Sequence, residues 1–148
     1  MHTHELLLAN THDTYEYGKK LAKLLAASKA LILLSGDLGA GKTTCAQGFL
    51  QQLVPDQAIT SPTYSYMNIY DALVPIFHFD LYRINSQDEL EELGLWEHLL
   101  DTRALRLVEW PEHALGIENH ADIHVRFDIK ESFRHVQTSY FKSIEGIT

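Results

Sequence analysis

Apolar and polar positions repeat along this chain with two periods, and the switches between them mark its elements. Glu5-Leu6-Leu7-Leu8-Ala9 reads as a first strand, and Asn10-Thr11-His12-Asp13 as a turn. Over residues 14–27, Tyr17, Leu21, Leu24 and Leu25 recur on one side of a helix, with Thr11 or Asp13 as its cap. Ala30-Leu31-Ile32-Leu33-Leu34 is a short apolar run that reads as a buried strand. Helical spacing returns at Cys45, Phe49, Leu50 and Leu53, and Pro55 ends that helix. Residues 64–70 are rich in β-formers, and residues 74–83 read as a neighbouring strand joined through a turn near Asp71. Ser86 and Glu89 fit a capping box for a helix with Leu90, Leu93 and Leu95 on its edge; Gly94 breaks it, and residues 96–100 start another. Ala104-Leu105-Arg106-Leu107-Val108 is a further strand that runs into Glu109-Trp110-Pro111. Residues 123–129 and 135–141 alternate, with Lys130-Glu131-Ser132-Phe133 between them, which predicts a terminal antiparallel hairpin. The expected fold class is α/β: a single P-loop NTPase-like domain over residues 1–148, with a mixed sheet and flanking helices.

The chemistry concentrates between the strand at 30–34 and the helix that follows. Gly36-Asp37-Leu38-Gly39-Ala40-Gly41-Lys42-Thr43 satisfies G-x-x-x-x-G-K-[ST] in the strand–loop–helix context the motif needs. Glycines at 36, 39 and 41 let successive N–H groups curl around a phosphate, and the positive end of the helix beginning near Lys42 points at the same anion. Lys42 can reach the β- and γ-phosphates, and the Thr43 hydroxyl is placed to ligate Mg²⁺. A purine nucleoside triphosphate is the expected ligand. Asp80 and Glu109 each end an apolar stretch, where a carboxylate beside the phosphates holds metal or orients water; the sequence does not rank them. Thr60-Ser61-Pro62-Thr63-Tyr64 is a stiff polar turn, either an ordinary loop or a segment that senses the γ-phosphate.

Composition narrows this further. A chain of 148 residues, 45% hydrophobic and 22% charged, suits one globular domain. No apolar run approaches the roughly 20 residues of a membrane span, and Met1-His2-Thr3-His4-Glu5 lacks the look of a signal peptide. A cytoplasmic location without membrane contact is the expectation. Cys45 is the only cysteine, which excludes an internal disulfide and reads as a packed core thiol. His120 and His124, four apart, do not make a metal site. The acidic run Asp88, Glu89, Glu91, Glu92 reads as a solvated helix face. A net charge of −8 disfavours tight independent binding to nucleic acid. A small-molecule kinase and a nucleotide-sensing switch that hardly turns over share the same loop. The kinase needs a second-substrate pocket and an arginine-rich lid; no arginine cluster follows the last helix, and no guanine-specific N-K-x-D is present.

The segments Gly36 through Thr44, Ser61-Pro62-Thr63-Tyr64, His78-Phe79-Asp80-Leu81-Tyr82-Arg83, Glu89-Leu90 with Leu93-Gly94, and Val108-Glu109-Trp110-Pro111 together resemble the TsaE family of bacterial P-loop ATPases, also called YjeE. The resemblance implies a cytoplasmic ATPase, using ATP and Mg²⁺, that supports formation of N6-threonylcarbamoyladenosine in tRNA. It implies action on a partner pair, TsaD and TsaB, which it resets between catalytic cycles, with tRNA reached only through them. Carried onto this chain, Asp37, Leu38, Gly39, Ala40, Gly41 and Lys42 hold phosphates, with Thr44 beside them. Thr43 ligates Mg²⁺, and Glu109 is a second ligand or orients water. Asp80 and Trp110 line the nucleotide site, Thr11 approaches the nucleoside end, and Arg134 contacts nucleotide. Lys42, Glu109 and Asp80 form the implied catalytic set, and residues 61–64 the first switch. No arginine-finger context is present, so slow intrinsic hydrolysis is expected.

Overall fold

The apolar run at Leu31-Ile32-Leu33-Leu34 has no polar face, so it is stable only as a strand covered on both sides. The computed structural model describes residues 1–141, and residues 142–148 of the expected domain lie outside the described residues. In chain order the elements are β1 (His2–Leu8), α1 (Thr11–Leu25), β2 (Leu31–Gly36), α2 (Lys42–Leu53), β3 (Met67–Tyr70), β4 (Ile76–Asp80), α3 (Gln87–Glu92), α4 (Leu95–Leu99), β5 (Leu105–Glu109), β6 (Ile123–Lys130) and β7 (Phe133–Tyr140). Short 3-10 turns stand at Pro111–His113 and Ile117–His120.

One sheet of seven strands runs in the order β1-β7-β6-β2-β5-β4-β3, which puts β2 in the middle. β6, β2, β5 and β4 are parallel; β7, β1 and β3 join antiparallel at the flanks. Ile32, Leu34, Leu105, Leu107, Ile123, Val125 and Phe127 pack on one face with Leu21 and Leu25 of α1 and Phe49 and Leu50 of α2. Leu31, Leu33, Phe77, Phe79 and Val108 pack on the other face with Leu90, Leu95, Leu99 and Ile117. Full burial of each such side chain contributes roughly 1.5–3 kcal/mol, and the two faces together hold the sheet between helical layers. The expected mixed α/β architecture and terminal hairpin are both present. Among the described residues no helix is long and apolar enough to cross a membrane.

Several boundaries differ from the sequence expectation, each for a local reason. α1 is capped by Asn10, not by Thr11 or Asp13: the Asn10 side chain accepts the Asp13 N–H at 2.9 Å, and Thr11 is already helical. β1 starts earlier than Glu5, because its pairing with β7 extends the ladder to His2. β3 starts only at Met67, since the Tyr66 N–H donates to the Pro62 carbonyl at 2.8 Å and Tyr66 takes φ 65°, closing a turn where a strand was expected. β4 likewise stops at Asp80 rather than Arg83, where the Ile84 N–H folds back to the Leu81 carbonyl at 3.1 Å. At the opposite end of the sheet from the glycine loop, buried Arg106 donates to the carbonyls of Lys29, Leu99 and Ala104.

α1 and α2 approach backbone to backbone. A Cβ at Gly18 would collide with the Cys45 carbonyl, and one at Gly48 with the Tyr15 carbonyl, so each helix spends a glycine on the other. Cys45 lies in this seam, 1% exposed, and burial pushes its thiol up to about 12, as suits a core residue. Gly48→Ala is therefore expected to destabilise the fold. Alanine gains about 1 kcal/mol of helix propensity, but overpacking against a carbonyl that cannot swing aside costs about 3 kcal/mol. Urea unfolding should show a net loss of about 2 kcal/mol.

Candidate functional site

The loop between β2 and α2 bends because Gly39 (φ 79°) and Gly41 (φ 117°) adopt backbone angles that other residues rarely reach. α2 then begins at Lys42 with Gly41 as its N-cap, and Gly41 has no side chain to cover the first-turn N–H groups. Asp37 and Leu38 are exposed on the loop, and Ala40 is buried beneath it. The Lys42 ammonium folds into the loop. It donates to the carbonyls of Gly36 and Asp37, the latter at 2.8 Å, and lies 4.1 Å from the centroid of the Trp110 ring. Burial draws the Lys42 pKa below the usual lysine range, against the pull of Glu109, Glu112, Asp37 and Asp80.

Beneath the loop, the ends of β4 and β5 deliver three polar side chains. Glu109 is 1% exposed; its Oε1 accepts the Thr43 hydroxyl at 2.7 Å, and its Oε2 meets His78 Nε2 at 2.7 Å. Asp80 pairs with Glu109 across the two strands, and its Oδ1 accepts the Tyr82 N–H at 3.0 Å. Of the two candidate carboxylates, Glu109 is the one hydrogen-bonded to Thr43. Burial raises the Asp80 pKa, with Glu109 adding to the rise, while the Tyr82 bond, His78 and Lys42 oppose it. Trp110 caps this cluster in the left-handed region (φ 59°), an uncommon conformation for a bulky residue before a proline. Its ring packs at 4.8 Å from Tyr82 and 5.8 Å from His113.

The other end of the loop opens on a cavity of about 160 Å³ lined by Asn10, Thr11, Thr14, Gly39, Gly41, Thr44, Ser132 and Arg134. Arg134 Nη2 donates to the Gly39 carbonyl at 3.3 Å, so the β6–β7 hairpin braces the loop. The structure thus gathers the expected site residues at one rim of the sheet: Asp37 through Thr43 in the loop, Glu109, Asp80 and Trp110 beside it, and Thr11, Thr44 and Arg134 at the far end. Residues 61–64 are not hydrogen-bonded to the loop among the described residues. Ser61 and Thr63 bond each other at 2.7 Å, and the Tyr64 ring meets Arg83. His78 received no role from the sequence. The available signal was its place two residues before Asp80, which puts both on one face of an otherwise apolar strand. Asn10, Thr14 and Ser132 were also missed, since only the tertiary fold brings them together. A wider cleft of about 500 Å³, not anticipated from the sequence, lies beside the loop. Asp37, Glu112, Glu118 and Asp128 line it, with Arg126, His124 and Trp110.

The donors near Thr43 suit Mg²⁺ in one respect. Thr43 Oγ1 and Glu109 Oε1 are oxygens that converge beside the glycine loop. Among the described residues no group of three or more His, Cys, Asp and Glu side chains forms a metal cage. Mg²⁺ asks for none: it is held by one or two protein oxygens, water and substrate phosphates.

Fold and site together define a mixed α/β domain whose glycine loop leads from the central parallel strand into a helix N-terminus above a buried carboxylate. A family model described as threonylcarbamoyl adenosine biosynthesis protein TsaE matches residues 8–137, and the chain belongs to that family. Two relatives described as tRNA threonylcarbamoyladenosine biosynthesis protein TsaE are similar in sequence. The one from Haemophilus influenzae is 40% identical over 126 residues, covering 82% of this chain and 79% of the relative. The one from a Nostoc species is 38% identical over 112 residues, covering 73% and 68%. The solved structure of Bacillus subtilis YdiB, at 24% identity, superposes with a TM-score of 0.67 over 95% of this chain and 87% of that one, and shares the fold.

Asp80 carries a stability consequence that can be measured. Its folded-state pKa lies above its unfolded value, so the native chain binds this proton first as pH falls. The charged form costs stability at neutral pH, and that cost is relieved as pH drops through the raised value. Asp80→Asn keeps an acceptor for the Tyr82 N–H, and should raise the denaturation midpoint at pH 7 with the gain fading toward pH 4. Urea titrations at the two pH values check this.

Proposed function

We propose that this chain is an ATPase in tRNA threonylcarbamoyladenosine biosynthesis that binds Mg·ATP at the glycine loop and hydrolyses it slowly on its own. The observation that carries the reading is the 2.7 Å bond between Thr43, the last residue of the loop motif, and the buried carboxylate of Glu109. ATP lies with its phosphates against the N–H groups of residues 37–42 and its nucleoside toward Thr11, Thr44 and Arg134. Lys42 exchanges the carbonyls of Gly36 and Asp37 for phosphate oxygens, which are charged acceptors and so the stronger partners for a buried ammonium. Thr43 and Glu109 would hold Mg²⁺, which would supply positive charge to offset that of the phosphates. Glu109 and Asp80 are the groups able to accept a hydrogen bond from the attacking water, and the products are ADP and phosphate. Among the described residues the side-chain cations hydrogen-bonded to the loop are Lys42 and Arg134, the latter at Gly39 toward the nucleoside end; with no arginine bonded beside Lys42, the barrier stays high.

The wider cleft bears on the kinase alternative. Its four carboxylates against Arg126 and His124 disfavour an anionic metabolite as second substrate. Hydrolysis whose work is done on another protein is the better fit, in the cytoplasm, with TsaD and TsaB as partners. The charge of −8 leaves tRNA to those partners.

Lys42→Ala should weaken nucleotide affinity at least tenfold, the loss of about 1.5 kcal/mol or more expected for a charged hydrogen-bond donor. Thr43→Ala should remove mainly the Mg²⁺-dependent part of affinity. Glu109→Ala should abolish turnover while ATP still binds. Calorimetry with and without Mg²⁺, paired with phosphate-release assays, tests all three, and unchanged ATP affinity in Lys42→Ala would sink the cradle assignment.

The partner relation has its own test. Phosphate release should rise several-fold when purified TsaD and TsaB are added, with no phosphate appearing on a metabolite. Replacing Ser61 and Thr63 with Ala should spare ATP binding and reduce that stimulation. Equal turnover with and without partners would discard the resetting role.

A further inference from the structure

β4 presents an anomaly. Ile76, Phe77 and Phe79 are buried apolar residues, yet between them His78 is 2% exposed and its Nδ1 has no hydrogen-bond partner among the described residues. A buried polar atom without a partner costs about 1–3 kcal/mol, and a leucine here would avoid that cost. Packing therefore does not explain the histidine. Among the described residues its one hydrogen bond is Nε2 to Glu109 Oε2 at 2.7 Å, from the same face of the sheet that carries Asp80.

The tautomer follows from elementary bookkeeping of donors and acceptors. A carboxylate accepts, so Nε2 must carry the proton; a proton on Nδ1 instead would set a lone pair against the carboxylate and orphan an N–H as well. Nε2–H thus occupies Glu109 Oε2. The carboxyl plane is pinned, and Oε1 is left turned to the Thr43 hydroxyl at 2.7 Å. Without His78, Glu109 can rotate about its last torsion, which is broad for an sp³–sp² bond. Its Oε1 would then lose its fixed aim at the helix N-terminus.

From this geometry we propose that His78 is a positioning residue. Through a single donated hydrogen bond it orients Glu109 toward Thr43 and so presets the oxygen pair on which Mg²⁺ binding with nucleotide depends. The inference rests on the nucleotide reading above. It concerns how the site is held rather than what the site binds.

The test compares parent, His78→Gln and His78→Leu by calorimetry of ADP binding, first in EDTA and then across a Mg²⁺ titration. The glutamine amide reproduces a donor at the Nε2 position, and the leucine fills the space without one. ADP affinity in EDTA should agree within about twofold among the three. The Mg²⁺ concentration for half-maximal effect should rise about tenfold in His78→Leu, the size of loss typical when a metal ligand's supporting hydrogen bond is removed, and should largely recover in His78→Gln. A Mg²⁺ dependence in His78→Leu equal to the parent's would overturn the positioning role alone, as would a His78→Gln chain impaired as badly as His78→Leu. A parent chain with no Mg²⁺ effect on ADP affinity would overturn the Mg·nucleotide reading and this inference with it. Should His78→Leu fail to fold in thermal melts, His78→Asn replaces it: its amide stops one methylene short, so it must lose the Mg²⁺ effect that His78→Gln keeps.

Discussion

The carboxylate of Glu109 is the joint of this molecule. A buried carboxylate persists only when its oxygens are hydrogen-bonded, and here one oxygen is taken by α2 through Thr43 and the other by β4 through His78. Those two bonds tie the helix after the glycine loop to two neighbouring parallel strands. The place of the loop above the sheet follows from them, and so does the adjacency of Asp80, which arrives one strand over at the same level. Trp110, directly after Glu109, is carried to the face of Lys42 by the same strand end. A polar contact of this kind usually contributes modestly to net stability; its larger effect is to exclude arrangements in which the carboxylate would be left unpaired.

Much of this was legible in the chain. The central strand, the loop and α2 could be read because three independent signals coincide: an apolar run, glycines at set positions, and helical spacing after Lys42. The terminal hairpin was legible from alternation on both sides of Glu131-Ser132. Where reading failed, short polar bonds had overridden propensity. Tyr64-Ser65-Tyr66 has strong β-formers, yet a single N–H bond from Tyr66 to Pro62 closes a turn there. Asn10 displaced Thr11 as the cap because its side chain reaches Asp13, a choice between neighbours that composition does not rank. At the other end of the loop, the family resemblance named Thr11, Thr44 and Arg134 but not Asn10, Thr14 and Ser132, which join them only in the tertiary fold through α1–α2 packing, the β1–β7 pairing and the Arg134–Gly39 bond.

The site also shows what ranking by motif alone leaves open. Asp80 and Glu109 occupy equivalent strand ends and both precede aromatic or apolar residues. Only register and side-chain reach separate them, and these place Glu109 on Thr43 and leave Asp80 bonded to the turn of its own chain at Tyr82. Their surroundings differ accordingly. One carboxylate is hydrogen-bonded by side chains on two sides, while the other is partly buried with a raised pKa.

The paired glycines of α1 and α2 reach beyond packing. The N-terminus of α1 borders the cavity at Thr11 and Thr14, and the N-terminus of α2 ends the glycine loop. With Gly18 and Gly48 seating each backbone in the other, the two helices pack as one close pair that carries both the cavity rim and the end of the glycine loop. The spacing between the cavity rim at Thr11 and the loop end at Lys42 is then set by helix packing. Under the Mg·ATP reading proposed above, a response to the γ-phosphate would fall to the side opposite this pair, at the strand ends that carry Asp80 and Glu109.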